Sequence, residues 1–335
     1  MAFKVYMTDG GLEGGEIERS VLDAIDAELV MVPYRSEREV ADNLADADGL
    51  LVIYAHTGQL AFSHLPRLRV VVRIGIGLDP IDLEAATAHG VCVANVPDYC
   101  VPEVSNHALA LILACGRKVV QLDRAVHGAS WQAVATARPL VRLEGQTVGI
   151  VGFGRIGQRL SRLCRGVGFS VVANDPYLDA ETARHAGAEL LALPALLASS
   201  DYVSINCPLT PETRHLIGRA EFAQMKPTAY LINTARGAVV DETALIGALR
   251  EGQIAGAALD VLETEPPDPG NPLLAMPNVI VTPHSAFYSE QAYRELRFRS
   301  ASEVARVLGG RYPRTLANPA VKERLRELGR ALAEE

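Results

Sequence analysis

Apolar and polar positions alternate along this chain in two successive series of short runs. Up to about position 100, FKVYMT, AELVMVPY, DGLLVIY, LRVVVRIG and GVCVANV are separated by segments of helical period, such as EIERSVLDAID, where Ile17, Val21 and Ile25 recur on one face. The second series opens at QTVGIVG and continues through FSVVANDP, DYVSINC, TAYLINTA, AGAALDV and NVIVTPH. Runs that are apolar nearly throughout belong to sheets covered on both faces, and parallel strands need helical crossovers between them. The pattern predicts an α/β protein of two doubly wound parallel-sheet domains.

Two longer helical patterns join the series. In VPEVSNHALALILACGRKVV, the residues Val104, Ala108, Leu111, Ile112 and Cys115 share a face, and this helix is expected to carry the chain from the first domain to the second. Tyr293, Leu296, Val304, Val307 and Leu308 form a second stripe, ended by Gly309 and Gly310, that is expected to bring it back. The expected domains are therefore 1–101 with 287–335, and 102–286, with a cleft where the chain passes twice. The tail VKERLRELGRALAEE reads as a short charged helix at a solvated end.

Composition narrows the function classes. A chain of 335 residues, 49% of them hydrophobic, can bury two cores and is not a disordered segment. A net charge of -8, with no run of Lys and Arg, offers no footprint for nucleic acid. Cys92, Cys100, Cys115, Cys164 and Cys207 form no CxxC pair and read as reduced core residues. The start MAFKVYMTDGG suits a first strand better than a signal peptide, and no apolar run is long enough to span a bilayer, so the expected location is the cytoplasm. No histidine stands at metal-ligand spacing, and no metal is expected.

The strongest motif is VGIVGFGRIGQRLSRLCRGVGFSVVANDP. Gly152, Gly154 and Gly157, with Phe153, Arg155 and Ile156 between them, follow a strand and open a helix. In that setting the first glycine permits the turn, the second lets backbone approach a pyrophosphate, and the third packs helix on strand. Asp175 ends the next strand, where a carboxylate accepts bonds from an adenosine ribose and repels a 2'-phosphate. The prediction is NAD rather than NADP; the bland alternative is a glycine turn followed by a helix-capping aspartate.

Three further stretches end strands of the second series, where open α/β sheets bind ligands. LINTARGAVVDE supplies Arg236, ALDVLETEPP supplies Asp260, Glu263 and Glu265, and VTPHSAF supplies His284. An arginine, an acid and a histidine at one sheet edge suggest chemistry. Each also has a plainer reading: a strand-end histidine bonded to a carbonyl, an arginine closing a loop, a solvated loop glutamate, an aspartate capping a turn. Tyr54 and His56, in VIYAHTG, end a first-domain strand and either face the cleft or belong to a surface loop.

Across RIGIGLDPID, VGFGRIG, NTARGAVVDETAL, AALDVLETEPP and TPHSA, nearly the whole chain resembles the D-isomer-specific 2-hydroxyacid dehydrogenase family. TPHSAFYSEQA, with YAHT and VVRIG, most resembles the C-terminal-binding-protein subgroup, which joins a dehydrogenase site to corepressor function. The resemblance implies a flavodoxin-like substrate domain, a Rossmann NAD-binding domain and a homodimer. It implies that Arg236 holds the substrate carboxylate or polarises its 2-oxo group, that His284 exchanges a proton with the substrate oxygen, and that Glu265 holds the imidazole. It further implies backbone contacts from Ile76 and Gly77 to the substrate carboxylate, a contact of Asp260 with the nicotinamide amide, and a cofactor wrapped by Cys207, Pro208, Thr213, Thr234 and Ala235. Ser105 either touches the pyrophosphate or is simply a polar residue near a helix start. Asp79 and Pro80 stand where members often read Asp-Asn, and Phe287 stands where the corepressor subgroup has Trp, leaving a smaller apolar wall for the substrate side chain.

The expected function is reduction of a small 2-oxo acid by NADH to a D-2-hydroxy acid. Reduction should decline as rising pH deprotonates the histidine, and oxidation as falling pH protonates it. Two alternatives remain: an NADH-sensing, corepressor-like dimeric scaffold, and a D-3-phosphoglycerate dehydrogenase.

Overall fold

In the computed structural model, which describes residues 2–9 and 14–334, the chain divides into two compact units, Met1–Tyr99 with Ser289–Glu335, and Cys100–Tyr288. The described residues of the first unit form a five-stranded sheet of β1 (Phe3–Met7), β2 (Ala27–Met31), β3 (Gly49–Val52), β4 (Val70–Arg73) and β5 (Cys92–Ala94). The order is β2-β1-β3-β4-β5, parallel throughout. Tyr6, Leu50, Val71 and Val93 lie in register across this sheet and share one buried cluster with Phe62 and Ala85 of the helices Gln59–His64 and Leu83–Ala88. The helix Glu290–Leu308 covers β3 and β4 and buries Leu296, Val304, Val307 and Leu308 of the expected stripe. Ser289 caps it by accepting from the Ala292 N–H at 3.0 Å.

Two expectations about this unit need correction. The helix Glu16–Leu22 buries Glu18 and Leu22, whereas Ile17, Val21 and Ile25 are only half-buried. Glu18 is fully buried because Arg297 meets it in a two-point pair, Nε to Oε1 and Nη2 to Oε2, each at 2.7 Å. An ion pair of this geometry turns a charged position inward, which hydrophobic periodicity does not register. The tail is also docked rather than solvated: Val321 and Leu325 of the helix Val321–Glu327 are buried, and Tyr312 N–H donates to the Ala333 carbonyl at 2.9 Å.

The described residues of the second unit form a seven-stranded parallel sheet of β6 (Thr147–Val151), β7 (Ser170–Asn174), β8 (Glu189–Leu190), β9 (Tyr202–Ile205), β10 (Tyr230–Asn233), β11 (Gly256–Leu259) and β12 (Val279–Val281). The order is β12-β11-β10-β9-β6-β7-β8. Successive residues feed opposite cores: Leu231, Ala257 and Val279 enter one cluster, Ile232, Ala258 and Ile280 the other. Both faces are therefore covered, which is why these strands read as apolar runs. The helix Val101–Gly116 buries Val104, Ala108, Leu111, Ile112 and Cys115 and packs within this unit on the helix Arg155–Val167. The strand that periodicity missed, β8, is a two-residue edge whose Glu189 is exposed, too short to show an alternation.

Candidate active site

The loop from β6 to the helix Arg155–Val167 has the division of labour its glycines predict. Gly152 is left-handed, with φ 87°, and a β-carbon there would collide with the Cys207 backbone. A β-carbon on Gly157 would lie 2.5 Å from the Gly152 carbonyl oxygen, so close packing of helix on loop requires glycine. At Gly154 an added carbon meets nothing within 4 Å, so the chain leaves space over this position, where backbone can approach a phosphate. Asp175, just past β7, accepts from Phe153 N–H at 2.8 Å and Tyr177 N–H at 3.0 Å, which fixes its carboxylate beside the loop.

Neighbouring strand ends carry buried polar atoms that the chain does not satisfy. Thr234 Oγ1, after β10, and Asn206 Oδ1, after β9, are buried without a hydrogen-bond partner among the described residues. Such groups cost roughly 1–3 kcal/mol each unless a ligand or water meets them. Around them Thr213 Oγ1 donates to the Pro208 carbonyl at 2.7 Å, Ala235 N–H donates to Asn233 Oδ1 at 3.0 Å, and Cys207 is buried. An open glycine cradle, a fixed carboxylate and unsatisfied polar atoms together fit a dinucleotide. Ser105 is fully buried and donates to the Val101 and Pro102 carbonyls at 2.8 and 3.0 Å, which engages its hydroxyl within its own helix.

β10, β11 and β12 are adjacent and parallel, so their C-terminal ends share one edge. There His284 Nδ1 lies 2.6 Å from Glu265 Oε2. A carboxylate only accepts, so Nδ1 carries a proton and Nε2 is left as the exchangeable position. Glu265 is itself oriented by Leu262 N–H, which donates to Oε1 at 3.0 Å.

His284 has a left-handed backbone, φ 51°, and Asp260 holds it there. The His284 N–H reaches the Asp260 carbonyl at 2.8 Å and that of Thr282 at 3.0 Å. The Asp260 side chain, almost wholly buried, accepts from Ser285 N–H on Oδ1 and Ala286 N–H on Oδ2, each at 2.9 Å, and from the Thr282 hydroxyl at 2.5 Å. The single Thr282 hydroxyl proton goes to Asp260, so Thr282 Oγ1 must accept from His107 Nε2 at 3.1 Å. His107 and Thr282 were not singled out in the sequence; their partners lie 175 and 22 residues away.

Arg236 follows β10 in a loop that Asn233 secures by donating from Nδ2 to the Arg236 carbonyl at 2.9 Å. Arg236 Nη1 donates to the Ala235 carbonyl at 2.8 Å. At Gly237 a β-carbon would overlap the Leu262 and Glu263 backbone, so the arginine loop lies directly against the loop that carries Glu265. The structure thus joins His284 to Glu265 by a hydrogen bond and brings Arg236 to the same edge. The Phe287 ring stands 6.4 Å from the His284 ring in an edge-on arrangement.

In the first unit, Tyr54 and His56 follow β3, and Ile76 and Gly77 follow β4. The Ile76 carbonyl accepts from Asn95 Nδ2 at 2.6 Å. His56 is exposed, 3.7 Å from Glu37.

A family model for the D-isomer specific 2-hydroxyacid dehydrogenase NAD-binding domain matches residues 109–286. A glyoxylate reductase of Aeropyrum pernix is 41% identical over 77% of this chain and 79% of its own length. A D-3-phosphoglycerate dehydrogenase of Archaeoglobus fulgidus is 39% identical over 75% of this chain, which spans 47% of that relative. The crystal structure of D-lactate dehydrogenase from Aquifex aeolicus, complexed with NAD and lactic acid, superposes with a TM-score of 0.80 at 28% identity, covering 89% of this chain and 93% of that one.

The chain belongs to the D-isomer specific 2-hydroxyacid dehydrogenase family. It is an NAD-dependent oxidoreductase, and its Gly152–Gly157 loop lies within the NAD-binding domain.

Proposed function

We propose that this enzyme reduces small 2-oxo acids of the glyoxylate or hydroxypyruvate type to D-2-hydroxy acids. The observation that carries the reading is the 2.6 Å contact of His284 with Glu265, one loop away from Arg236. Bound NADH supplies the hydride. Arg236 takes the substrate carboxylate or 2-oxo group through its fork of donors. Glu265 holds the His284 ring through Nδ1, and His284 hands a proton to the oxygen as negative charge develops there. Ile76, Gly77, Tyr54 and His56 serve as further substrate contacts, and Phe287 forms an apolar wall. The Gly152–Gly157 segment, Asp175, Cys207, Pro208, Thr213, Thr234 and Ala235 hold the cofactor; Asp260 serves it by setting the His284 loop. We assign the substrate role to the first unit.

The apolar side chains exposed along residues 119–141, with Trp131 86% and Val134 76% exposed, support a homodimer through this segment. We assign the enzyme to the cytoplasm; among the described residues no helix is long and apolar enough to cross a membrane. The phosphoglycerate dehydrogenase relatives support 3-phosphoglycerate as the second substrate to test. The TPHSAFYSEQA stretch favours the corepressor-like subgroup as the other reading.

The test is a panel of glyoxylate, hydroxypyruvate and longer 2-oxo acids with NADH and NADPH, together with 3-phosphoglycerate and NAD, on the wild type and His284→Ala. The expected result is NADH-dependent turnover that His284→Ala abolishes while NADH still binds. Turnover that survives in His284→Ala removes the acid/base assignment; peptide affinity switched by NADH, without turnover, moves the function to the scaffold.

A further inference from the structure

The first unit has the 2-1-3-4-5 strand order, whose topological switch point lies between β1 and β3, the place where such sheets bind ligands. Asp9 stands at that point, two residues past β1. Its backbone is left-handed, φ 63°, and its N–H donates to the Tyr34 carbonyl at 3.0 Å. One carboxylate oxygen, Oδ2, accepts from three consecutive backbone N–H groups of the loop after β3: Ile53 at 3.2 Å, Tyr54 at 3.0 Å and Ala55 at 3.2 Å. The hydroxyl of Thr8, a fully buried residue, donates to the same oxygen at 2.6 Å. Oδ1 is buried without a hydrogen-bond partner among the described residues.

Three successive N–H groups turned toward one point make an anion nest. Here the protein fills the nest with its own carboxylate. The loop so held carries Tyr54 and His56. Asp260 in the second unit works the same way: an aspartate just past one strand gathers the N–H groups of the loop beyond its neighbour. In that case the loop carries His284.

We propose that Asp9 is a positioning residue for substrate selectivity: it sets the course of residues 53–56 so that this loop discriminates among 2-oxo acids by their side chains. The proposal rests on the reading above, in which Tyr54 and His56 contact the substrate. Glyoxylate bears only hydrogen where hydroxypyruvate bears a hydroxymethyl group, so a displaced loop leaves glyoxylate reduction largely unaffected and impairs hydroxypyruvate reduction.

The experiment compares kcat/KM for both acids in wild type, Asp9→Ala and Asp9→Asn, with NADH affinity and amide hydrogen exchange of residues 53–55. In Asp9→Ala the hydroxypyruvate value should fall about tenfold or more while that for glyoxylate stays within about threefold. Exchange at residues 53–55 should quicken, and NADH affinity should not change. Asp9→Asn keeps an acceptor oxygen and should recover most of the lost selectivity, which a merely structural role would not produce. Equal losses with both acids, or unchanged selectivity, overturn the proposal. A wild type inactive on both acids overturns the proposed function instead, and the exchange data then still report whether Asp9 holds the loop. Should Asp9→Ala fail to fold, Thr8→Val, which removes one donor to Oδ2, should lower the hydroxypyruvate-to-glyoxylate ratio about twofold to fivefold; an unchanged ratio overturns the proposal equally.

Discussion

Replacing Asp260 with asparagine separates the two duties this residue has been given. Its carboxylate accepts two backbone N–H groups at 2.9 Å and the Thr282 hydroxyl at 2.5 Å. Hydrogen bonds to a charged acceptor contribute roughly 1.5–3 kcal/mol each. Asparagine keeps one acceptor oxygen and turns an NH2 toward a donor on the other side, so at least one of these bonds is lost, a change of about 2–3 kcal/mol. Against it stands the left-handed backbone of His284, φ 51°, which costs a non-glycine residue about 1–2 kcal/mol. The lost bond outweighs the strain it had balanced, so the loop relaxes and the imidazole leaves its 2.6 Å contact with Glu265. Turnover should then fall about 100-fold, equivalent to some 2.7 kcal/mol of barrier. Steady-state loss of NADH absorbance with glyoxylate measures this, and quenching of protein fluorescence gives NADH affinity. Unaltered affinity assigns Asp260 to the loop, whereas affinity weakened more than about tenfold assigns it to the nicotinamide amide. A variant that retains kcat within about threefold of wild type refutes the reasoning, because the loop would then hold without the carboxylate.

Other perturbations test the cofactor loop and the cores. Gly154→Ala adds a carbon that meets no protein atom, so thermal stability should hold while NADH affinity falls about 10- to 100-fold; Gly157→Ala forces a carbon to 2.5 Å from the Gly152 carbonyl oxygen and should lower the melting temperature by the equivalent of about 1–3 kcal/mol. Circular dichroism and NADH titration on the same samples distinguish the two outcomes. Burial pushes the thiols of Cys92, Cys115 and Cys164 up to about 12 and that of Cys207 up to about 11, so they stay protonated at neutral pH. With all five cysteines buried and outside any disulfide, Ellman's reagent should label none of them rapidly in the native protein and all five in denaturant.

The legible parts of the fold are those whose signal is local. Leu231–Ile232 and Val279–Ile280 read as strand because both neighbours in each pair are buried, one on each face of the sheet. The Gly152, Gly154 and Gly157 turn was readable because its three constraints fall within six residues of backbone. Arg236, Glu265 and His284 could be nominated by residue type at strand ends, whereas the hold of Glu265 on the imidazole was implied only by the family resemblance. The burial of Glu18 was not legible because it depends on Arg297, 279 residues away, nor was β8, because a two-residue edge has no periodicity.

By itself the sequence determined that there are two parallel α/β sheets and that a dinucleotide turn opens the second, since spacing along a short segment dictates which faces are buried and where backbone can bend. Tertiary structure alone decided that His284 meets Glu265 across 19 residues, that Asp260 reaches Ala286 across 26, and that Asp9 reaches Tyr54 across 45. Those contacts depend on which strand ends lie side by side and in what register. Strand order is settled by the packing of the whole sheet, not by any one run of residues.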